Sequence, residues 1–265
     1  MSAIVVPRVR AMLILHPLSS GRTKPCVMLC NEDSDNDVEV VVKWRAGLDL
    51  KETGLICELL SALLADDLDL PVPKPFIVQV EDGFHLSVTR PDIAAIAEKS
   101  VGSNFGSQRV SPGVGTWPKD KAIPVLLRPL AAEIFAFDVL TQNADRRRDN
   151  PNLLWSGDDV YLCDHEQAFS FLAGVIGWQA PWTGQGLDFC RNHVFFQQLK
   201  GLPHNWDRLS GALDALTDDR LNEYLSAVPN EWRNNNNAAN RIIDYLREAR
   251  ENRTNLFAVI SHLLR

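Results

Sequence analysis

Apolar and polar positions alternate with a period of two through the first 44 residues, where 11–16, 25–30 and 38–44 read as strands separated by short polar turns. Strands so joined form an antiparallel meander. In the third, Val38-Glu39-Val40-Val41-Val42-Lys43-Trp44, β-branched side chains favour extended backbone, and the period puts Lys43 on the face of Glu39 and Val41. The spacing then changes. Leu55, Ile56, Leu59, Leu60, Leu63 and Leu64 recur at helical intervals and predict an amphipathic helix over 53–68, ended by Pro71 and Pro73. Residues 76–80 and 84–89 alternate again around Glu81-Asp82-Gly83, the pattern of a hairpin.

Glycines, prolines and serines crowd 98–120, which reads as an irregular connection. Beyond it the pattern predicts a helix over 121–142, a polar segment 143–152, and a hairpin with arms 153–156 and 160–163 turning at Gly157-Asp158-Asp159. Helical spacing then dominates over 187–200, 204–216, 218–227 and 236–264. The whole is an α+β chain in two lobes: a β-rich unit with one helix over 1–95, a connection over 96–120, and a mostly helical unit over 121–265.

Composition narrows the class. Of 265 residues 45% are hydrophobic and 23% charged, the make-up of a globular protein. The formal charge is −7, and the one tight basic run, Arg146-Arg147-Arg148, is too short to track a phosphate backbone, so no direct nucleic-acid binding is expected. Cys26, Cys30, Cys57, Cys163 and Cys190 are odd in number and scattered, which suits reduced thiols in a cytoplasmic protein of bacterial type. Cys26-x3-Cys30 and Cys190-x2-His193 lack a second pair at matching spacing, so buried thiols are expected there rather than zinc. Pro7, Arg8 and Arg10 interrupt the apolar N-terminus, and no uncharged apolar run is long enough for a span. Neither a secretion signal nor a membrane partner is expected.

The polar segment carries the chemistry. Asp145 is followed five positions later by Asn150, and the hairpin after it ends at Asp164, the spacing of a kinase catalytic loop. In such a loop an Asp takes the proton of the attacking hydroxyl, while an Asn and a second Asp offer the hard oxygens that Mg²⁺ prefers. Lys43 at a strand end and Glu58 on the next helix are ordered like the ion pair that orients ATP phosphates. On a helical wheel Glu58 falls on a small-residue flank, outside the leucine stripe. Glu52, in line with that stripe, is the alternative partner. Gly21, Arg22, Thr23 and Lys24 form the turn between the first two strands, where a kinase keeps its phosphate-covering loop, although they match neither GxGxxG nor a Walker A sequence.

Over roughly residues 10–200 the chain resembles the HipA-like kinases of the protein-kinase-like and phosphatidylinositol-kinase-like group. The shared features are the Lys43 strand, Glu58 with Leu68-Asp69-Leu70-Pro71-Val72-Pro73, Asn104-Phe105-Gly106-Ser107, Asn143-Ala144-Asp145-Arg146 through Asn150, and Asp164-His165-Glu166-Gln167-Ala168-Phe169. The resemblance implies a bilobal kinase fold using ATP and Mg²⁺. Asp145 would be the catalytic Asp, Asn150 and Asp164 the metal ligands, Lys43 the ATP-phosphate lysine, Glu58 its partner, and Gly21 to Lys24 the phosphate loop. Two positions depart from the pattern: Arg147 stands where the family usually has His, and His165 where eukaryotic protein kinases have Phe. The expected activity is phosphoryl transfer from ATP to Ser or Thr of an unidentified protein. A nucleotide-binding pseudokinase and a small-molecule or lipid kinase are the alternatives.

Overall fold

The computed structural model describes residues 3–18, 23–32, 36–111, 113–157, 159–174, 178–233 and 237–265. Five strands form a closed barrel in the order β1-β2-β3-β5-β4: β1 Arg8–Pro17, β2 Cys26–Asn31, β3 Asp37–Lys43, β4 Pro75–Val80 and β5 Gly102–Gln108. The meander of β1, β2 and β3 is antiparallel, as its turns predict. The closure is not foreseen by the pattern. Arg8, Val9 and Arg10 of β1 pair parallel with Ile77, Val78 and Gln79 of β4, which removes the open edges a simple meander would expose.

The expected hairpin over 76–89 does not form. Phe84–Ser87 is a 3₁₀ turn, α2 (Pro91–Glu98) follows, and the antiparallel partner of β4 is β5, inside the segment that reads as connection. Where β5 passes between β3 and β4, a Cβ on Gly106 would press on Val40 Cγ1 and lie 2.7 Å from Val78 Cγ2, so that one position needs glycine. Asn104 anchors this strand, its Oδ1 accepting from Arg45 N (2.8 Å) and its Nδ2 donating to Ser100 O (2.7 Å).

Val9, Cys26, Met28, Cys30, Val40, Val42, Phe76 and Val78 fill the barrel, and Ile93 and Ala97 of α2 pack on that core. Cys26 and Cys30 are free thiols. Helix α1 (Glu52–Asp67) is buried from Thr53 to Ala65 on every face, because it packs against β4 and β5 as well as against the C-terminal helices. It is therefore not the amphipathic surface helix its leucine spacing suggests, and Glu58 is buried rather than on a flank.

The helix expected over 121–142 begins only at Arg128, after Pro124 and a 3₁₀ turn, giving α3 (Arg128–Thr141). A small sheet of β6 (Gly115–Thr116), β7 (Leu153–Ser156) and β8 (Asp159–Leu162) contains the expected hairpin. The region 187–200 holds only a 3₁₀ turn and α4 (Phe196–Leu199). Then come α5 (Asp207–Asp214), α6 (Asp218–Ala227), α7 (Ala238–Glu251) and α8 (Arg253–Leu263). Aromatic rings pack this part: Trp182 stacks on Tyr245, and Phe195 meets Trp117 edge-on. Among the described residues no helix is long and apolar enough to cross a membrane.

Candidate active site

Strand alternation delivers the lysine. Val40 and Val42 point into the barrel, so Val41 and Lys43 face outward and line a cleft of about 200 Å³ between the barrel and the β7–β8 hairpin. Its apolar walls include Leu18, Val41, Val72, Phe105, Leu153 and Leu162. At its inner end the Lys43 ammonium pairs with Glu58 of α1 and with Asp164, whose Oδ1 is 2.6 Å away. Glu58 Oε1 also accepts from the backbone N–H of His165 at 2.9 Å, fixing the carboxylate from two sides. Burial works against the charge on Lys43, but Glu58 and Asp164 outweigh it and hold the ammonium above its ordinary pKa. Burial likewise opposes ionisation of Asp164, and Lys43 overcomes it, keeping that carboxyl below the usual range. Glu52 lies 3.7 Å from Arg45 instead, so Glu58 is the residue that reaches Lys43.

Asp164 follows β8 in left-handed backbone (φ 60), a conformation that Asp tolerates better than most residues. Before it, the Cys163 N–H donates to Asn152 O at 3.2 Å, tying the hairpin to the end of the 143–152 loop. That loop starts where Gln142, also left-handed (φ 50), ends α3. Asp145 Oδ2 accepts from Asn150 Nδ2 at 2.8 Å and from Asn152 Nδ2 at 3.1 Å. With its Nδ2 so committed, Asn150 keeps Oδ1 for other partners, and the residue lines the cleft beside Asp164.

The three arginines do not share one solvated face. Arg146 is fully buried: its Nε donates to Asp138 Oδ2 at 2.6 Å, and its Nη1 donates to the carbonyls of Asn152 and, at 3.2 Å, Cys163. His193 Nε2 meets the same Asp138 oxygen at 2.9 Å, and Phe195 N donates to its Nδ1 at 3.1 Å. Arg147 is half-buried, with Nη1 3.4 Å from Asp145 Oδ1 and Nε 3.1 Å from Asp149, while Arg148 pairs with Asp120 at 2.7 Å.

The expected phosphate loop is only partly in view. Gly21 and Arg22 lie outside the described residues, and Thr23 lines the cleft. Lys24 does not join it, since its Nζ binds Asp92 of α2 at 3.0 Å.

The donors here suit a hard cation. Carboxylate oxygens of Glu58, Asp164 and Glu166 lie within 4.8 Å of one another, and Glu166 Oε2 is buried with no hydrogen-bond partner. Burial pushes the Glu166 carboxyl up to about 7. It also pushes the Cys163 thiol on the cleft wall up to about 12, so no thiolate competes. An oxygen-only set of this kind fits Mg²⁺. Asp138, Asn152 and His193 are site residues that the motif spacing does not mark. The one local signal is a charge at Asp138 inside the apolar run of α3.

A solved structure, the Helicobacter pylori proinflammatory kinase CtkA, shares the fold with a TM-score of 0.55, at 10% identity over 98% of this chain and 100% of that one. A second, the Golgi casein kinase, superposes with a TM-score of 0.42, at 13% identity over 98% of this chain and 72% of that one. No curated protein matches the chain. The fold and its family make this a kinase-like phosphotransferase. Within that class the chain belongs to the HipA-like kinases, whose profile matches residues 11–257.

Proposed function

We propose that the chain transfers the γ-phosphoryl group of ATP to a Ser or Thr hydroxyl of a protein, with Mg²⁺ as cofactor. One observation supports this above the rest: Lys43, bridging Glu58 and Asp164, and Asn150, hydrogen-bonded to Asp145, line the same cleft. The apolar walls suit a purine ring, and Lys43, held by Glu58, sets a positive charge where phosphate oxygens would lie. Mg²⁺, when bound, shields the negative charge of the phosphates. Asn150 and Asn152 hold Asp145 Oδ2, so Oδ1, 3.4 Å from the Arg147 guanidinium, is the oxygen that would meet the acceptor. That oxygen takes the hydroxyl proton as the acceptor oxygen bonds to the γ-phosphorus and the bond to the β-phosphate oxygen breaks.

The test is intact mass of the purified protein after incubation with ATP and Mg²⁺, beside Asp145→Asn and Asp164→Ala. A species heavier by about 80 Da, one phosphoryl group, in wild type alone supports the reading. If none forms, casein-type peptides and phosphoinositide vesicles serve as acceptors, and the one that is labelled separates protein from lipid substrates. Failure with every acceptor, together with no ATP-induced thermal shift, would sink it.

A nucleotide-binding pseudokinase is the second reading, favoured by Arg147, which occupies the side of Asp145 that the acceptor must approach. It requires an ATP-induced thermal shift without added mass, and phosphoryl transfer on Arg147→His.

A further inference from the structure

We infer that Glu166 is a third protein ligand of the divalent cation, beside Asp164 and Asn150, and that the site takes this cation before nucleotide. The inference rests on the reading of Asp164 as a metal ligand and extends it to a residue outside the Asp145, Asn150 and Asp164 pattern.

Three carboxylates, Glu58, Asp164 and Glu166, stand with their nearest oxygens within 4.8 Å of one another. Their shared counter-charge is the Lys43 ammonium. Three carboxyl groups thus crowd around a single ammonium in a buried place, a donor set that a divalent cation would complete. Arg146 lies nearby but is committed to Asp138.

The oxygens divide in a way that locates the cation. Glu58 Oε1 is taken by Lys43 and by the His165 N–H, and its Oε2 lies 3.8 Å from His165 Nδ1, so Glu58 serves the lysine. Asp164 uses Oδ1 for Lys43, which leaves Oδ2. Glu166 is 9% exposed, and its Oε2 has no hydrogen-bond partner among the described residues. A carboxylate oxygen left bare in the interior is costly unless a ligand supplies the missing partner. Glu166 Oε2 is thus the unpartnered oxygen of the cluster, and Asp164 has a second oxygen beyond the one that Lys43 holds. Two anionic oxygens plus the Asn150 carbonyl leave three positions of an octahedral ion for water and phosphate oxygens.

The experiment is an EPR titration of the nucleotide-free protein with Mn²⁺, an octahedral stand-in for Mg²⁺, on wild type, Glu166→Gln, Glu166→Asp and Asp164→Ala. Thermal melts show which variants are folded. The expected result is one Mn²⁺ per chain in wild type, about tenfold weaker binding for Glu166→Gln, an intermediate loss for Glu166→Asp, and none for Asp164→Ala. Wild-type affinity in both folded Glu166 variants would overturn the inference and leave the Asp164 reading standing. No Mn²⁺ bound by wild type without nucleotide would overturn it as well, while the mass assay for phosphoryl transfer judges the proposed function independently.

Discussion

Arg146 and Asp138 form an ion pair closed off from solvent: Nε to Oδ2 is 2.6 Å, and the two side chains are 0% and 1% exposed. The guanidinium also reaches the carbonyls of Asn152 and Cys163, the residues at the end of the Asp145 loop and just before Asp164. One side chain thus ties α3, the proposed base and the proposed metal ligand into a single rigid unit. His193, brought in from after the hairpin, meets the same Asp138 oxygen at 2.9 Å.

Removing either charge alone strands its partner in the interior. Asp138→Leu and Arg146→Met are each expected to lower stability by about 3–5 kcal/mol in urea unfolding, and the double variant to recover much of that loss. Additive losses in the double variant would contradict the coupling.

Acid should weaken this unit in two stages. Burial lowers the His193 pKa despite Asp138, so as pH falls below about 6.5 the unfolded chain takes up a proton that the folded chain refuses. The Asp138 pKa is also lowered, because Arg146 and His193 outweigh its burial, so its contribution persists above about 3.9 and is lost as pH drops further. The urea midpoint should fall between pH 8 and 5, with a flatter slope in His193→Asn. Equal slopes would show that His193 takes up its proton alike in the folded and unfolded chains, against the lowered pKa.

Glu58 and Glu52 separate by function. Glu58→Gln removes the partner of Lys43 and should cut phosphoryl transfer on the order of a hundredfold. Glu52→Gln loses only a part-exposed contact with Arg45 and should change transfer less than about twofold and stability by under ~1 kcal/mol. Initial rates at saturating ATP decide between them, and the reverse ranking would remove Glu58 from the site.

Gly106→Ala should destabilise the barrel by about 1–3 kcal/mol, since its Cβ would push against Val40 and Val78 from both neighbouring strands. Thermal melting checks this directly. A neutral substitution would mean that β5 can shift between its neighbours.

Local pattern is enough for part of this protein. The β1-to-β3 meander, the β7–β8 hairpin and the placement of Lys43 opposite the barrel interior follow from a period of two. The spacing of Asp145, Asn150 and Asp164 marks the loop because those residues lie close together in the chain. Periodicity reports burial on one side of an element and nothing about which distant element supplies it. Hence the parallel closure of β1 on β4, the glycine-containing strand β5 and the all-round burial of α1 emerge only in three dimensions. Equally, Arg146-Arg147-Arg148 reads as one charge run, yet the first is buried, the second half-buried and the third exposed, because the buried Asp138 pairs with the first alone. Sequence determined which chemical groups are present and which are neighbours along the chain. Tertiary structure decided which of them share a low-dielectric interior, where a charge persists only beside an opposite one.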